Sequence, residues 1–257
     1  MKKIIFLVVK LFLFTTTSFT VTAVTPEVSL GRSVYDILEH YDIYEEDSLI
    51  DFNYLGINNT CNFSSFGTSF IPGSANVEDN NGEEIQISVL TEWEVQEYFN
   101  LMKSQSHIPF SYPEDGCYAR AQEMSLLLEQ YGVVTGKVFI EGDLRVETNN
   151  SPKGFVEWWY HVAPIVLVDT GEKVEQYVLD PSLFDRAVPL EVWTNTQTAH
   201  NPGQQSEVYI TKRFNFTPID KNEDFVDYDI ENLRIGSQRM QEYMSIINKR
   251  NHKKILR

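Results

Sequence analysis

Apolar and polar positions alternate along this chain with two distinct periods, and the changes between them mark out the elements. Val34, Ile37, Leu38 and Tyr41 recur at i, i+3, i+4, i+7 and predict a short amphipathic helix over 32–45. From Ile50 to Phe70 the pattern breaks into short apolar pieces among Asn, Ser, Thr and Gly. Pro72-Gly73-Ser74 and the polar run from Glu78 to Glu84 then predict a linker. Beyond it, Thr91 with Glu94 writes a capping box, and Val95, Tyr98, Phe99 and Met102 form one apolar helical stripe. A further helix opens at Asp115-Gly116 and runs to about Tyr131, with Gly132 where a C-terminal cap is expected. Strands are predicted over 136–141, 144–147, 155–168, 173–180 and 208–216, where Val, Ile, Trp and Tyr concentrate. A last helix is predicted over 230–247. Helices followed by hairpin-spaced strands indicate an α+β domain with a mostly antiparallel sheet.

The N-terminus has a different character. Lys2 and Lys3 precede an apolar run from Ile4 to Phe14 interrupted by Lys10, and Val21-Thr22-Ala23 offers short residues before a cut at Val24. Residues 1–23 therefore read as a secretory signal, too short to span a bilayer, against the alternative of a buried strand or uncleaved anchor. The domain reading is a signal over 1–23, an accessory segment over 24–84, and a main domain over 85–257. Export to the medium or periplasm is expected, with no stable membrane anchor.

Charge and composition narrow the function. A formal net charge of −16 argues against nucleic acid as a partner, since nonspecific affinity for phosphate comes from Lys and Arg. The chain is 42% hydrophobic, with 13 Tyr and 16 Phe, too apolar and aromatic for wholesale disorder. Two cysteines, Cys61 and Cys117, exclude a disulfide-dense scaffold and a four-cysteine zinc site. The basic tail from Lys249 to Lys254 reads as a solvated helix end, where cations are favoured.

No phosphate-cradling glycine loop, zinc-protease helix or serine elbow is present, and the five histidines lack metal-ligand spacing, so no cofactor or metal is expected. Cys117 falls in the first turn of the helix opened by Asp115. Unpaired N–H groups and the helix dipole stabilise an anion there, which favours the thiolate that a nucleophile requires. The same residue also lies on a stripe with Ala121, Met124 and Leu128, so a core cysteine remains the alternative. His161 lies in the strand Trp158-Trp159-Tyr160-His161-Val162-Ala163. If Thr170-Gly171 closes a two-residue hairpin, Asp169 pairs with Glu172 and His161 stands opposite Asp180. Pro164 is the weak point of that register, because it favours an edge or bulge. A carboxylate on one imidazole nitrogen fixes the tautomer and frees the other to act as base, although a cross-strand bond that only stabilises the hairpin would look the same. The order helix-start Cys, strand His, next-strand Asp is that of papain-like and transglutaminase-like folds.

The strings from Tyr112 to Ala121 (with Asp115-Gly116-Cys117-Tyr118-Ala119-Arg120-Ala121), Trp159 to Ala163 and Leu179 to Phe184 together resemble bacterial protein glutaminase. The resemblance extends from about Trp93 to about Trp193. It implies a papain/transglutaminase-like core with the nucleophile helix packed on the sheet, and hydrolysis of the side-chain amide of protein-bound glutamine. On that resemblance Cys117 is the nucleophile, His161 the general base and acid, and Asp180 the orienting carboxylate. Substrates would be glutamine-containing proteins or peptides. Trp158 or Trp159 would wall the substrate channel or pack in the core. Arg120 and Glu123 would steer substrate or form a surface helix pair. The resemblance also implies an inhibitory pro-segment, with 24–84 in the right place, 78–84 as a processing site, and Cys61 able to mask Cys117 by a bridge. This chain departs from well-known relatives in having two cysteines rather than several disulfides, in its acidity, and in carrying Gln122 where the family has a histidine. Alternatives with the same triad are a transglutaminase-like acyltransferase and a cysteine protease. A non-catalytic secreted binding protein with a Cys61–Cys117 disulfide is the remaining one.

Overall fold

In the computed structural model, residues 72–255 are described. The predicted signal, the helix over 32–45 and Cys61 lie outside them. The described chain runs β1 (Gly73–Glu78), β2 (Glu84–Thr91), α1 (Glu92–Lys103), α2 (Cys117–Gln130), β3 (Gly136–Glu147) and β4 (Phe155–Asp169). It continues through β5 (Val174–Val178), β6 (Val188–Pro189), α3 (Leu190–Thr198), β7 (Glu207–Lys212) and α4 (Ile230–Ile255). The strands form one seven-stranded sheet with the central order β1-β2-β4-β3-β7, and β5 and β6 extend from β4. Only the short β2–β4 pairing is parallel, so the expected α+β class with a mostly antiparallel sheet holds.

Alternation along β4 separates the two cores. Val166 and Val168 join α1, α2 and α4 through Phe99, Met102, Leu128, Leu233 and Met240. Ile165 and Leu167 face the other way and pack with Ile85, Ile87, Ile140 and the α3 residue Trp193. The capping box at α1 forms as the sequence predicts: the Thr91 hydroxyl accepts from the Glu94 N–H, and the Glu94 carboxylate accepts from the Thr91 N–H.

The expected linker is replaced by a hairpin. Asp79 folds the polar run into a turn, its Oδ1 accepting from the N–H groups of Asn81 and Glu83 at 2.8 and 2.9 Å. Glu78 and Glu84 pair across that turn, so β1 and β2 belong to the same sheet as the rest of the unit. The strands predicted over 136–141 and 144–147 are one strand, β3, interrupted by a bulge between Glu141 and Leu144. Besides β1 and β2, the strand β6 and the helix α3 went unforeseen, although Leu190, Trp193 and Gln197 carry the i, i+3, i+7 spacing of a helix.

Candidate active site

Cys117 is the first residue of α2, and the fold places it there by an uncommon start. Gly116, the N-cap, adopts φ 81° and has no side chain to cap the first turn. A Cβ at Gly116 would lie 2.5 Å from Cε2 of Tyr243, so glycine is required by both conformation and space. Asp115 anchors this start: its carboxylate accepts from the Gly116 N–H at 2.7 Å and from the Tyr243 hydroxyl at 2.6 Å. Arg120, expected at the surface, is buried and donates to the carbonyls of Tyr112 and Asp115 at 3.0 and 2.7 Å. Glu123 is also buried, 2.9 Å from Nε2 of His107. Both therefore hold the approach to α2 in place rather than meeting solvent. Gln122 is buried too and accepts from the Lys137 ammonium, which burial pushes well below its ordinary pKa. The Cys117 thiol is free, buried, and packed against Tyr160 and Val162 of β4 and Phe139 of β3.

His161 and Asp180 meet, but not as ladder partners. The β4–β5 loop has four residues, because the Thr170 N–H donates to the Lys173 carbonyl and the Thr170 hydroxyl bonds both Lys173 backbone groups. Asp169 consequently pairs with Val174 rather than Glu172, a slip of two residues from the predicted register. Pairing ends at Ile165–Val178, followed by one bond from the Leu179 N–H to the Pro164 carbonyl at 3.0 Å. Pro164 has no N–H to return, so β5 leaves the sheet there. Its next residue, Asp180, swings onto His161, with Oδ2 2.7 Å from the imidazole Nε2.

Both groups are buried and solidly held. Asp180 Oδ2 also accepts from the Trp193 indole N–H at 3.0 Å, and Oδ1 accepts from the Ser182 N–H at 3.2 Å. The imidazole stacks on Trp158 and Trp193, with centroids 4.9 and 5.6 Å apart. Trp158 is itself fixed by its indole N–H donating to the Pro113 carbonyl at 3.0 Å, just upstream of Cys117. Burial alone would lower the His161 pKa. The Asp180 carboxylate, assisted by Cys117, overrides it and raises the group to about 9. Asp180 is lowered despite burial, by His161 first and then by Trp193. Among the described residues Nδ1 of His161 makes no conventional hydrogen bond, although the Cys117 side chain lies close enough to help raise the imidazole's pKa. Trp193 escaped the sequence reading as a site residue. Its only signal was the helical spacing of Leu190, Trp193 and Gln197.

Cys117 opens into a cleft of about 710 Å³ that Trp158, Trp159 and Tyr160 also line. Trp158 thus packs on the histidine while Trp159 stays 58% exposed in the cleft, so the two tryptophans divide the roles expected of either. Among the described residues, no cluster of side chains suits a metal ion.

Residues 95–197 match the family model described as Glutaminase. That span contains Cys117, His161, Asp180 and Trp193. Residues 95–197 form a glutaminase-type domain, the chain is an enzyme, and its fold is the protein-glutaminase fold. A crystal structure of protein-glutaminase aligns with a TM-score of 0.51 at 26% identity, over 61% of this chain and 88% of that one. The NMR structure of protein-glutaminase from Chryseobacterium proteolyticum aligns with a TM-score of 0.51 at 28% identity, over 60% of this chain and 88% of that one. A crystal structure of pro-protein-glutaminase aligns with a TM-score of 0.51 at 26% identity, over 69% of this chain and 63% of that one. No curated protein sequence matches the chain.

Proposed function

We propose that this protein hydrolyses the side-chain amide of protein-bound glutamine to glutamate and ammonia, with Cys117 as nucleophile, His161 as acid and base, and Asp180 as its orienting carboxylate. The observation that carries this reading is the buried His161–Asp180 contact of 2.7 Å beside a free thiol at a helix start. An imidazolium held by Asp180 balances a thiolate, and the pair supplies a nucleophile and an acid together.

The Cys117 thiolate attacks the carboxamide carbon, and the carbonyl oxygen becomes an oxyanion. The Cys117 N–H at the uncapped helix start is in place to receive that charge. His161 gives its proton to the departing ammonia, leaving a γ-glutamyl thioester on Cys117. The imidazole then takes a proton from water, the hydroxide adds to the thioester, and glutamate leaves as the proton returns to the Cys117–His161 pair. One glutamine and one water become one glutamate and one ammonium ion. Residues 1–23 direct export, and the segment from 24 to Pro72 is the accessory or inhibitory part, because β1 and β2 pair with the catalytic sheet.

Ammonia release and the intact mass of a glutamine-containing protein, measured together, test the assignment. Ammonia with a mass gain of about 1 Da per site, the difference between an amide and an acid, is expected. Cross-linked acceptor would indicate an acyltransferase, and fragments a protease; either would overturn the proposal.

A further inference from the structure

Among the described residues, the cleft at Cys117 is lined by four carboxylates, Glu114, Asp115, Asp143 and Glu157, and by no lysine, arginine or histidine. Two of them face water: the side chains of Asp143 and Glu157 are each 55% exposed. Their nearest basic side chains are loosely placed. Arg145 lies 3.6 Å from Glu157 while its closer bond, 2.8 Å, goes to Glu147. His200 lies 3.4 Å from Asp143. Glu114 is 2.8 Å from Arg250, and Asp115 is taken up by Tyr243 and the Gly116 N–H. Lys153 and Arg250 line a separate groove of about 390 Å³ that shares Glu114 and Glu157 with the cleft.

An aromatic platform accompanies the negative rim. Trp159 is 58% exposed, and its ring is tilted against Tyr160 with centroids 4.5 Å apart. An exposed indole face beside carboxylates attracts Lys or Arg twice, through ring quadrupole and through charge. The bulge between Glu141 and Leu144 places Gly142 and Asp143 on the cleft wall, so the rim is built into the sheet rather than borne on a long loop.

We propose that the cleft selects glutamines flanked by lysine or arginine, with Asp143, Glu157 and Trp159 as the residues that set this preference. Cationic flanks are drawn in and held across the rim. Acidic flanks are repelled by it and by the chain's overall charge of −16. This inference rests on the glutamine-deamidating reading above.

The test uses the wild-type protein and peptides identical except for the residues on either side of one glutamine: Lys, Ala or Glu. Ammonia release is followed at low salt and at about 1 M salt, where screening falls to roughly 3 Å. The expected order of kcat/KM is Lys over Ala over Glu, with about a tenfold spread between the extremes at low salt, carried by KM, that collapses in high salt. In the double variant Asp143→Asn, Glu157→Gln the Lys-to-Glu ratio falls several-fold, and in Trp159→Ala the Lys-to-Ala ratio falls. Equal kcat/KM for the Lys and Glu peptides in low salt would overturn the proposal. So would a ratio unmoved in the double variant when its melting temperature matches wild type. Ammonia from none of the peptides would instead overturn the glutaminase reading, and this inference with it.

Discussion

At His161 two forces of opposite sign act on one proton. Burial favours the neutral ring, whereas the Asp180 carboxylate at 2.7 Å favours the imidazolium and raises the pKa from 6.5 to about 9. A folded-state pKa above the unfolded one contributes stability that is fully present below about pH 6.5 and lost as pH rises through about 9. Asp180 acts in the other direction: its lowered pKa contributes stability present above about pH 3.8 and lost as pH falls through the folded value. The pair is therefore strongest through the neutral range. Replacing Asp180 by Asn removes the attraction and leaves the burial. A histidine Cε1–H titration by NMR should then show the His161 pKa falling by about 1–3 units. The alkaline limb of kcat/KM should move down with it. An unshifted titration would mean that Asp180 does not govern this imidazole.

The element that decides the position of Cys117 is the start of α2, and α4 supports it from a distance of more than a hundred residues. Tyr243 donates to Asp115 and stacks on Tyr112 with centroids 4.6 Å apart. Tyr243→Phe keeps the stack and loses the hydrogen bond, so a loss of about 1.5 kcal/mol, measured by urea unfolding, is expected for a bond to a charged acceptor. Gly116→Ala forces a Cβ into the Tyr243 ring at φ 81°. It should reduce kcat by at least about tenfold through displacement of Cys117, together with a fall in melting temperature. A variant with wild-type kcat would show that the helix start tolerates a side chain.

How far such elements could be read from sequence depended on whether their cause was local. The capping box at Thr91 and the cap at Gly132 are short-range and were legible, as was the helix beginning at Cys117. The hairpin register was not. Asp169 Oδ1 accepts from the Gly171 N–H, and the Thr170 hydroxyl bonds the Lys173 backbone, which widens the loop and shifts the pairing by two. A slip of two residues preserves the face of every side chain, so His161 and Asp180 still met although the predicted pairing was wrong. Trp193 and the burial of Arg120 were illegible because each depends on contacts across the fold. Asp79 made a hairpin turn from a run whose composition is that of a linker.

At the scale of the molecule, β4 is the spine: β3 and then β2 pair along it, β5 runs on its other edge, and the site forms where β5 departs. The β1–β2 hairpin belongs to this unit, with Ile85 and Ile87 packed in the core around Trp193. A chain beginning at Pro72 should therefore keep the melting temperature and ammonia release of the unit. One beginning at Glu84 loses β1, and exposes an edge of β2 that β1 had covered, so thermal unfolding should begin several degrees lower. Indistinguishable melting curves would show β1 to be dispensable.

If Cys117, with the His161–Asp180 pair beside it, performs the hydrolysis, ammonia release depends on its thiol. The initial rate of ammonia release from a glutamine-containing protein, compared between wild type and a folded Cys117→Ala variant, tests it most directly. Release by wild type and a loss of at least about a thousandfold in the variant are expected, as befits removal of a covalent nucleophile. Equal rates in the two proteins would contradict it.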